Sequence, residues 1–281
     1  MKFSKIRSHA KINMALNIIG KTPYLHKIES IIAFLRLHDE ILIKKIRSND
    51  HKIMFTGKFS KSIAKNNTVS KLLKLLEEKN FLNNQKFEIR INKRIPTKAG
   101  LGGGSMNAAN ILKYLVEKKI IRIKKKNIVE ICNLIGSDVI LGFNSKSSIL
   151  TSKNQIKYFK NCQKFYTLVV KPNYGCSTKE VYSKVKKFNR SKLNKPKKYM
   201  FDPLFLKKMN NSLEPIVFSK YSSLRLIKLY LEKLINPFLV RMSGSGSSLV
   251  AYYQSKNRCE NAKNEFKKRY KNYWCIVSKT I

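Results

Sequence analysis

Two neutral glycine–serine loops, one aspartate and one lysine are where this chain could do chemistry. The segment Pro96-Thr-Lys-Ala-Gly-Leu-Gly-Gly-Gly-Ser-Met-Asn-Ala-Ala109 places four of the chain's eleven glycines, Gly100, Gly102, Gly103 and Gly104, within five positions. Without Cβ atoms, backbone can come close to a ligand and adopt positive φ. A helix-like stretch follows, and its first N–H groups, together with the positive end of its dipole, favour a phosphate. The pattern predicts a nucleotide phosphate site. A flexible hairpin or linker is also glycine-rich, but here residues 87–95 alternate like a half-buried strand and residues 108–117 have helical spacing. Strand, glycine loop, helix is the order a phosphate site needs. No G-x-G-x-x-G is present, since Asn107 stands at the third-glycine position, and there is no Walker A sequence. Gly20-Lys21-Thr22 is the nearest miss; it runs into Pro23 and reads as a turn between strands.

The chain has four aspartates, Asp39, Asp50, Asp138 and Asp202. Asp138 is the one set in a neutral, glycine-flanked turn, Gly136-Ser-Asp-Val. Such a carboxylate can accept a hydroxyl proton in transfer to an alcohol, worth about 10²–10⁴ in rate; a turn or helix-capping aspartate would have the same surroundings. Lys11 lies in Ala10-Lys-Ile-Asn-Met-Ala-Leu16, a strand-like stretch where an ammonium either points into a site, neutralising charge on a transferring group, or occupies a solvent face. The second loop, Met242-Ser-Gly-Ser-Gly-Ser-Ser248, either completes a cradle through its backbone or is a plain hairpin.

Fifty-nine Lys and Arg face sixteen Asp and Glu, a formal net charge of +43 in 281 residues. A charge of this size raises nucleic acid as a partner. The lysines, however, are spread along the whole chain, with Asn and Ile enriched beside them, as in a compositional drift of the surface. No obligate nucleic-acid role is therefore expected. The charge would still steer anionic substrates at low salt. Against it, the two longest runs without a charged residue, 99–112 and 242–255, contain the two loops. Hydrophobic residues at 43% fit a globular fold large enough for two cores. Five scattered cysteines without C-x-x-C predict free thiols in a reducing cytoplasm, and neither a disulfide frame nor a zinc site. The four histidines lack ligand spacing, so no metal-binding residues are assigned. No apolar run is long enough to span a membrane, and the N-terminus lacks a signal-peptide pattern.

Residues 10–19, 30–35, 40–46 and 52–56 have strand character, and 67–79 is an amphipathic helix. A helix over 126–135 follows the glycine loop, then Gly136 to Gly142 as a tight turn into a short apolar strand. With a boundary near residue 150, the expected domains are 1–150 and 151–281. In the second, 165–171, 237–241, 247–253 and 273–278 read as strands. Residues 203–213, 222–234 and 257–270 read as helices, and 183–200 as a lysine-rich loop. The class is α+β.

These motifs in this order resemble the GHMP kinase superfamily: Ala-Lys-Ile-Asn at the start, Pro-x-x-x-Gly-Leu-Gly-Gly-Gly-Ser-x-Asn-Ala-Ala near residue 100, Gly-Ser-Asp-Val near 138 and Met-Ser-Gly-Ser-Gly-Ser near 244. The resemblance runs from about Lys5 to Tyr253. It implies an ATP-dependent small-molecule kinase with a ribosomal-protein-S5-domain-2-like N-terminal lobe and a ferredoxin-like C-terminal lobe, substrates meeting in the cleft between them. It further implies that Pro96, Gly100, Leu101, Gly102, Gly103, Gly104, Ser105 and Asn107 wrap the ATP phosphates, with Asn67 and Lys93 near the nucleoside. Asp138 would be the general base and Lys11 its partner. The Gly-Gly-Gly form and the Lys-Ile-Asn start look most like the branch acting on the 2-hydroxyl of a cytidyl diphosphate sugar-alcohol. There Asn13, His26, Thr178 and Tyr182 would hold the acceptor, together with Gly244, Ser245 and Gly246. Mg2+ would accompany ATP.

The chain departs from the family pattern at three places. Tyr24-Leu25-His26 stands where Gly-Tyr-His is usual, which in an extended segment sends the aromatic to the opposite face. Leu25 offers no π face, and stacking on a base is worth roughly 1–3 kcal/mol. Lys98 stands where glycine is common, at a cost on the order of 1 kcal/mol if positive φ is required. Met106 replaces a frequent serine. Another GHMP kinase acting on a mevalonate- or homoserine-type alcohol, and a basic nucleic-acid-binding module, are the alternatives.

Overall fold

The computed structural model describes residues 2–23, 25–61 and 63–281. The expected α+β class holds, in two compact units that are not consecutive in sequence. Unit 1 contains the chain up to Lys11, Leu37–Thr97 and Gly102–Ser145; unit 2 contains Ile12–Arg36, Lys98–Leu101 and Lys146–Ile281. One crossing, at Ser145 to Lys146, falls near the boundary expected at 150. The others arise because two long strands, β1 (Ser4–Lys21) and β2 (His26–Ile46), contribute to both units.

In unit 1 the C-terminal half of β2 pairs antiparallel with β4 (Lys86–Asn92), and β3 (Lys52–Thr56) lies parallel on β4's other edge. Helices α1 (Thr68–Glu78), α2 (Gly103–Glu117), α3 (Lys125–Ile135) and α4 (Val139–Gly142) pack on one another. Their apolar faces, with Leu72, Leu76, Ile111, Leu115 and Ile131, meet the inward side chains Ile41, Ile43, Ile89 and Ile91 in one core. In a strand successive side chains alternate faces, which is why Leu37, Asp39, Ile41 and Ile43 of β2 all point inward while their neighbours are partly exposed.

In unit 2, β5 (Ser148–Leu150) pairs with Ser30, Ile31 and Ile32 of β2, and β6 (Ile156–Tyr158) pairs with β5. A second sheet has the order β10-β7-β9-β8, formed by β7 (Tyr166–Lys171), β8 (Leu239–Met242), β9 (Leu249–Tyr253) and β10 (Trp274–Lys279), antiparallel throughout. Between them in sequence run α5 (Thr178–Ser183), α6 (Pro203–Lys208), α7 (Glu214–Lys220), α8 (Ser222–Lys233) and α9 (Lys256–Arg269). Helix α8 lies against β8 and β9, and α9 against β7, β9 and β10.

The structure corrects the sequence reading at four places. The strands expected at 30–35 and 40–46 are one strand. The segment after Gly136 is not a strand but the helical turn α4; a Cβ on Gly142 would stand 2.7 Å from Ala109 Cβ, so this turn seats directly on α2. The helix expected over 203–213 stops at Lys208. Beyond it, Asn210 O accepts from Leu16 N–H at 3.0 Å and Ser212 N–H donates to Leu16 O at 2.8 Å, an extended pairing with β1 that a continuous helix would forbid. Finally, β5, β6, α5 and α7 are absent from the sequence reading, being too short to show periodicity.

Candidate active site

The glycine turn is built as a helix start with nothing of its own to cap it. Gly102 is the N-cap of α2 in the left-handed region (φ +67°), with no side-chain capping bond and no acidic residue in the first turn. Met106 N–H closes the first intrahelical bond on Gly102 O at 2.8 Å. The N–H groups of Gly103, Gly104 and Ser105 therefore begin a helix at its partly exposed end, an arrangement that attracts an anion. Thr68, at the start of α1, donates its hydroxyl to Gly104 O at 2.7 Å and fixes the turn from one side.

On the other side lies Lys11. Its stem covers Gly102 so closely that a Cβ there would stand 2.7 Å from Lys11 Cγ. Its ammonium reaches Asp138, with Nζ to Oδ2 at 2.9 Å; the lysine is 4% exposed and the aspartate 34%. This bears on both readings left open by the sequence. Lys11 does not face solvent, and although Asp138 stands at the N-cap of α4 its side chain makes no capping bond. A buried ammonium paired with a half-exposed carboxylate beside an uncapped helix start can polarise a hydroxyl, take its proton and hold a phosphoryl group. Ser105, in the first turn of α2, has its Oγ about 4.0 Å from where a Cβ on Gly136, two residues before Asp138, would stand.

Other expected phosphate or nucleoside contacts are engaged elsewhere. Pro96 and Leu101 are buried, leaving only backbone to meet a ligand. Asn67 accepts from Val69 and Ser70 N–H and donates to Ala64 and Lys65 carbonyls, so its amide caps α1 instead of reaching a nucleoside. Lys93 is 3% exposed and ion-paired with the fully buried Asp39, so its ammonium lies beneath the turn. Asn107, 1% exposed, donates to the same Asp39 at 3.0 Å and does not face a phosphate. Met106 likewise turns into the core, against Gly142.

In unit 2 the second loop is a hairpin between β8 and β9, and more. Ser243 Oγ donates to Gly100 O at 2.8 Å and accepts from Asn13 N–H at 3.2 Å; Ser248 N–H donates to Ala99 O. Gly100 (φ +72°) could not carry a side chain, because a Cβ would stand 2.0 Å from Ser243 O. Asn211 donates to both Met242 O and Gly244 O at 2.8 Å and shapes the loop from below; nothing in its sequence surroundings pointed to it. Thr178 and Ser245 hydroxyls meet at 2.9 Å. Gly246 packs on Met242 and Cys176. Asn13 is 3% exposed and donates to Ser30 Oγ. His26 packs against Tyr182 with ring centroids 5.2 Å apart, and burial, then Lys21, pushes its pKa below the ordinary range, which favours the neutral ring. Tyr24, whose displacement the sequence marked, lies outside the described residues; Leu25 is exposed.

Residues 67–148 match the family of GHMP kinases N terminal domain. The chain is 54% identical, over 281 residues and the full length of both proteins, to 4-diphosphocytidyl-2-C-methyl-D-erythritol kinase of Pelagibacter ubique. The chain belongs to the 4-diphosphocytidyl-2-C-methyl-D-erythritol kinase family. Its fold agrees: a crystal structure of 4-(cytidine 5'-diphospho)-2C-methyl-D-erythritol kinase superposes with a TM-score of 0.78 at 20% identity, covering 99% of this chain and 100% of that one. Homoserine kinase from Cytophaga hutchinsonii superposes with a TM-score of 0.71 at 16% identity, covering 100% and 95%. A member of this kinase family uses ATP and a small-molecule acceptor, and the uncapped, acid-free start of α2 fits a triphosphate. Among the described residues no helix is long and apolar enough to cross a membrane.

Proposed function

We propose that the protein transfers the terminal phosphoryl group of ATP to the 2-hydroxyl of 4-diphosphocytidyl-2-C-methyl-D-erythritol. The observation that carries this reading is the Lys11–Asp138 pair at 2.9 Å, with the stem of Lys11 lying on Gly102. Asp138 accepts the hydroxyl proton as the acceptor oxygen bonds to phosphorus and the bond to the bridging oxygen of ADP breaks. Lys11 lowers the cost of negative charge on the acceptor oxygen. The N–H groups of Gly103, Gly104 and Ser105 hold phosphate oxygens, and transfer then depends mainly on position and charge.

On the acceptor side, unit 2 offers the His26 and Tyr182 rings and the Thr178–Ser245 hydroxyl pair, suited to a cytidyl group and its diphosphate. Magnesium brought with ATP would offset phosphate charge, with Ser105 and Asp138 as the nearby oxygen donors. The described residues form no cluster of three acidic, His or Cys side chains, so phosphate and water would supply most of its ligands. The free thiols Cys132, Cys162, Cys176, Cys259 and Cys275 support a reducing compartment such as the cytoplasm.

The test is ADP release by purified protein with the cytidyl methylerythritol, with mevalonate, with homoserine and with no acceptor, at two salt concentrations. Release that requires the cytidyl compound supports the reading. Equal or greater release with either other alcohol, or none above the acceptor-free rate, rejects it.

A further inference from the structure

We propose that Asp39 is the positioning residue of the phosphate turn, a buried carboxylate that ties the end of β4 to the first turns of α2. This rests on the kinase reading of that turn. Asp39 is 0% exposed and sits on the inward face of β2 between Leu37 and Ile41, in an otherwise apolar row. The β2–β4 register runs to Glu40 opposite Asn92, so Asp39 falls where β4 has just ended. There its Oδ1 accepts the backbone N–H groups of Arg94 at 2.8 Å and Ile95 at 2.9 Å, taking over from the sheet ladder. Its Oδ2 accepts from Asn107 Nδ2 at 3.0 Å and from the Lys93 ammonium.

Four donors from the entry to the loop and from α2 thus converge on one carboxylate. The Lys93 ammonium it holds lies 3.2 Å from where a Cβ on Gly103 would stand, directly under the turn. Between these anchors run Gly100, Gly102, Gly103 and Gly104, whose backbone freedom makes a fixed frame necessary if the N–H groups are to stay aimed. Stability alone is a poor reason for such a group, because well-packed apolar residues commonly serve a core as well as or better than a buried ion pair. Among the described residues Asn107 Oδ1 has no hydrogen-bond partner, so the orientation of that amide is set by its bond to Asp39. Asp39 itself is too deeply buried to touch a nucleotide.

The experiment measures ADP binding by calorimetry in the full-length chain as wild type, Asp39→Asn and Asn107→Ala, with amide hydrogen exchange over residues 102–106 in the absence of nucleotide. Asp39→Asn replaces an acceptor with a donor facing Lys93 and Asn107. It is expected to weaken ADP at least tenfold and raise KM for ATP in parallel, while KM for the acceptor stays within twofold. Asn107→Ala keeps the ion pair and a good helix residue, so it folds even if Asp39→Asn does not; it is expected to weaken ADP at least threefold. Exchange over 102–106 should quicken in both, with the strands of unit 2 unchanged. ADP affinity in the folded variants above these limits, or unaltered exchange at the turn, overturns the proposal. Failure of the wild type itself to bind ADP would instead strike the kinase reading.

Discussion

Replacing Gly102 by alanine tests the joint between the glycine turn and the Lys11–Asp138 pair proposed as catalytic. The new Cβ would stand 2.7 Å from Lys11 Cγ, and ordinary contact begins at 3.4 Å, so the lysine stem must retreat by about 0.7 Å. Carried to the ammonium, that shift opens the 2.9 Å contact with Asp138 to roughly 3.6 Å, beyond hydrogen-bond range. A misplacement near 1 Å costs about 10²-fold in a reaction that depends on position, so kcat should fall by about that factor. The residue also needs φ +67°, which costs alanine about 1 kcal/mol, and the overpacking adds about 1–3 kcal/mol. Melting should therefore fall by roughly 5–10 °C. Turnover is followed as ADP release at saturating substrates, well below both melting temperatures. Gly20→Ala is the control: its φ is not positive and its Cβ would meet only the Lys27 side chain, at an ordinary 3.7 Å, so turnover should stay within about fivefold. A folded Gly102→Ala enzyme turning over within threefold of wild type would refute the reasoning.

Asp138→Asn should lower kcat by about 10²–10⁴-fold while ADP binds within threefold of wild type; comparable turnover would rule out the base assignment. Lys98→Gly should leave turnover within about tenfold and not lower the melting temperature, because Lys98 occupies φ +50°, where glycine carries no steric penalty; a clear loss of stability would count against this. His51 accepts the Phe87 N–H on Nδ1 at 3.0 Å, and burial, opposed by Glu77, holds its pKa below the ordinary 6.5. The unfolded chain then takes up the proton more readily, so this contribution to stability is whole above about pH 6.5 and is lost as pH falls through the lowered folded value. Between pH 7.5 and 5.5 the wild type should lose more melting temperature than His51→Gln, and equal losses would contradict the assignment.

Local chemistry was legible in the sequence wherever it left a local mark. In a chain with lysine nearly everywhere, the neutral run around Gly102 pointed to backbone that is approached closely, as it is there by the Lys11 stem. The strand before it and the amphipathic helix of α1 followed from periodicity. A run as short as Val139 to Gly142 carries no such mark, because an apolar stretch of that length is compatible with strand and helix alike; contact with α2 decided it. Asp39 was hidden for a related reason. It falls between the strands expected at 30–35 and 40–46, whereas partners from β4 and α2 let a carboxylate occupy a core position of one continuous strand.

Sequence by itself therefore determined which residues could do chemistry, and the order of the motifs determined the family. It did not determine which side chains meet. Lys11 and Asp138 each had a plain structural reading until folding set one against the other beside Gly102, and Asn67, Lys93 and Asn107, expected at the ligand, were bonded into the frame instead. The type and local spacing of a residue follow from covalent neighbours, but the partner a buried charge or amide finds is chosen by burial, which penalises every polar group left unmatched and so depends on elements distant in the chain.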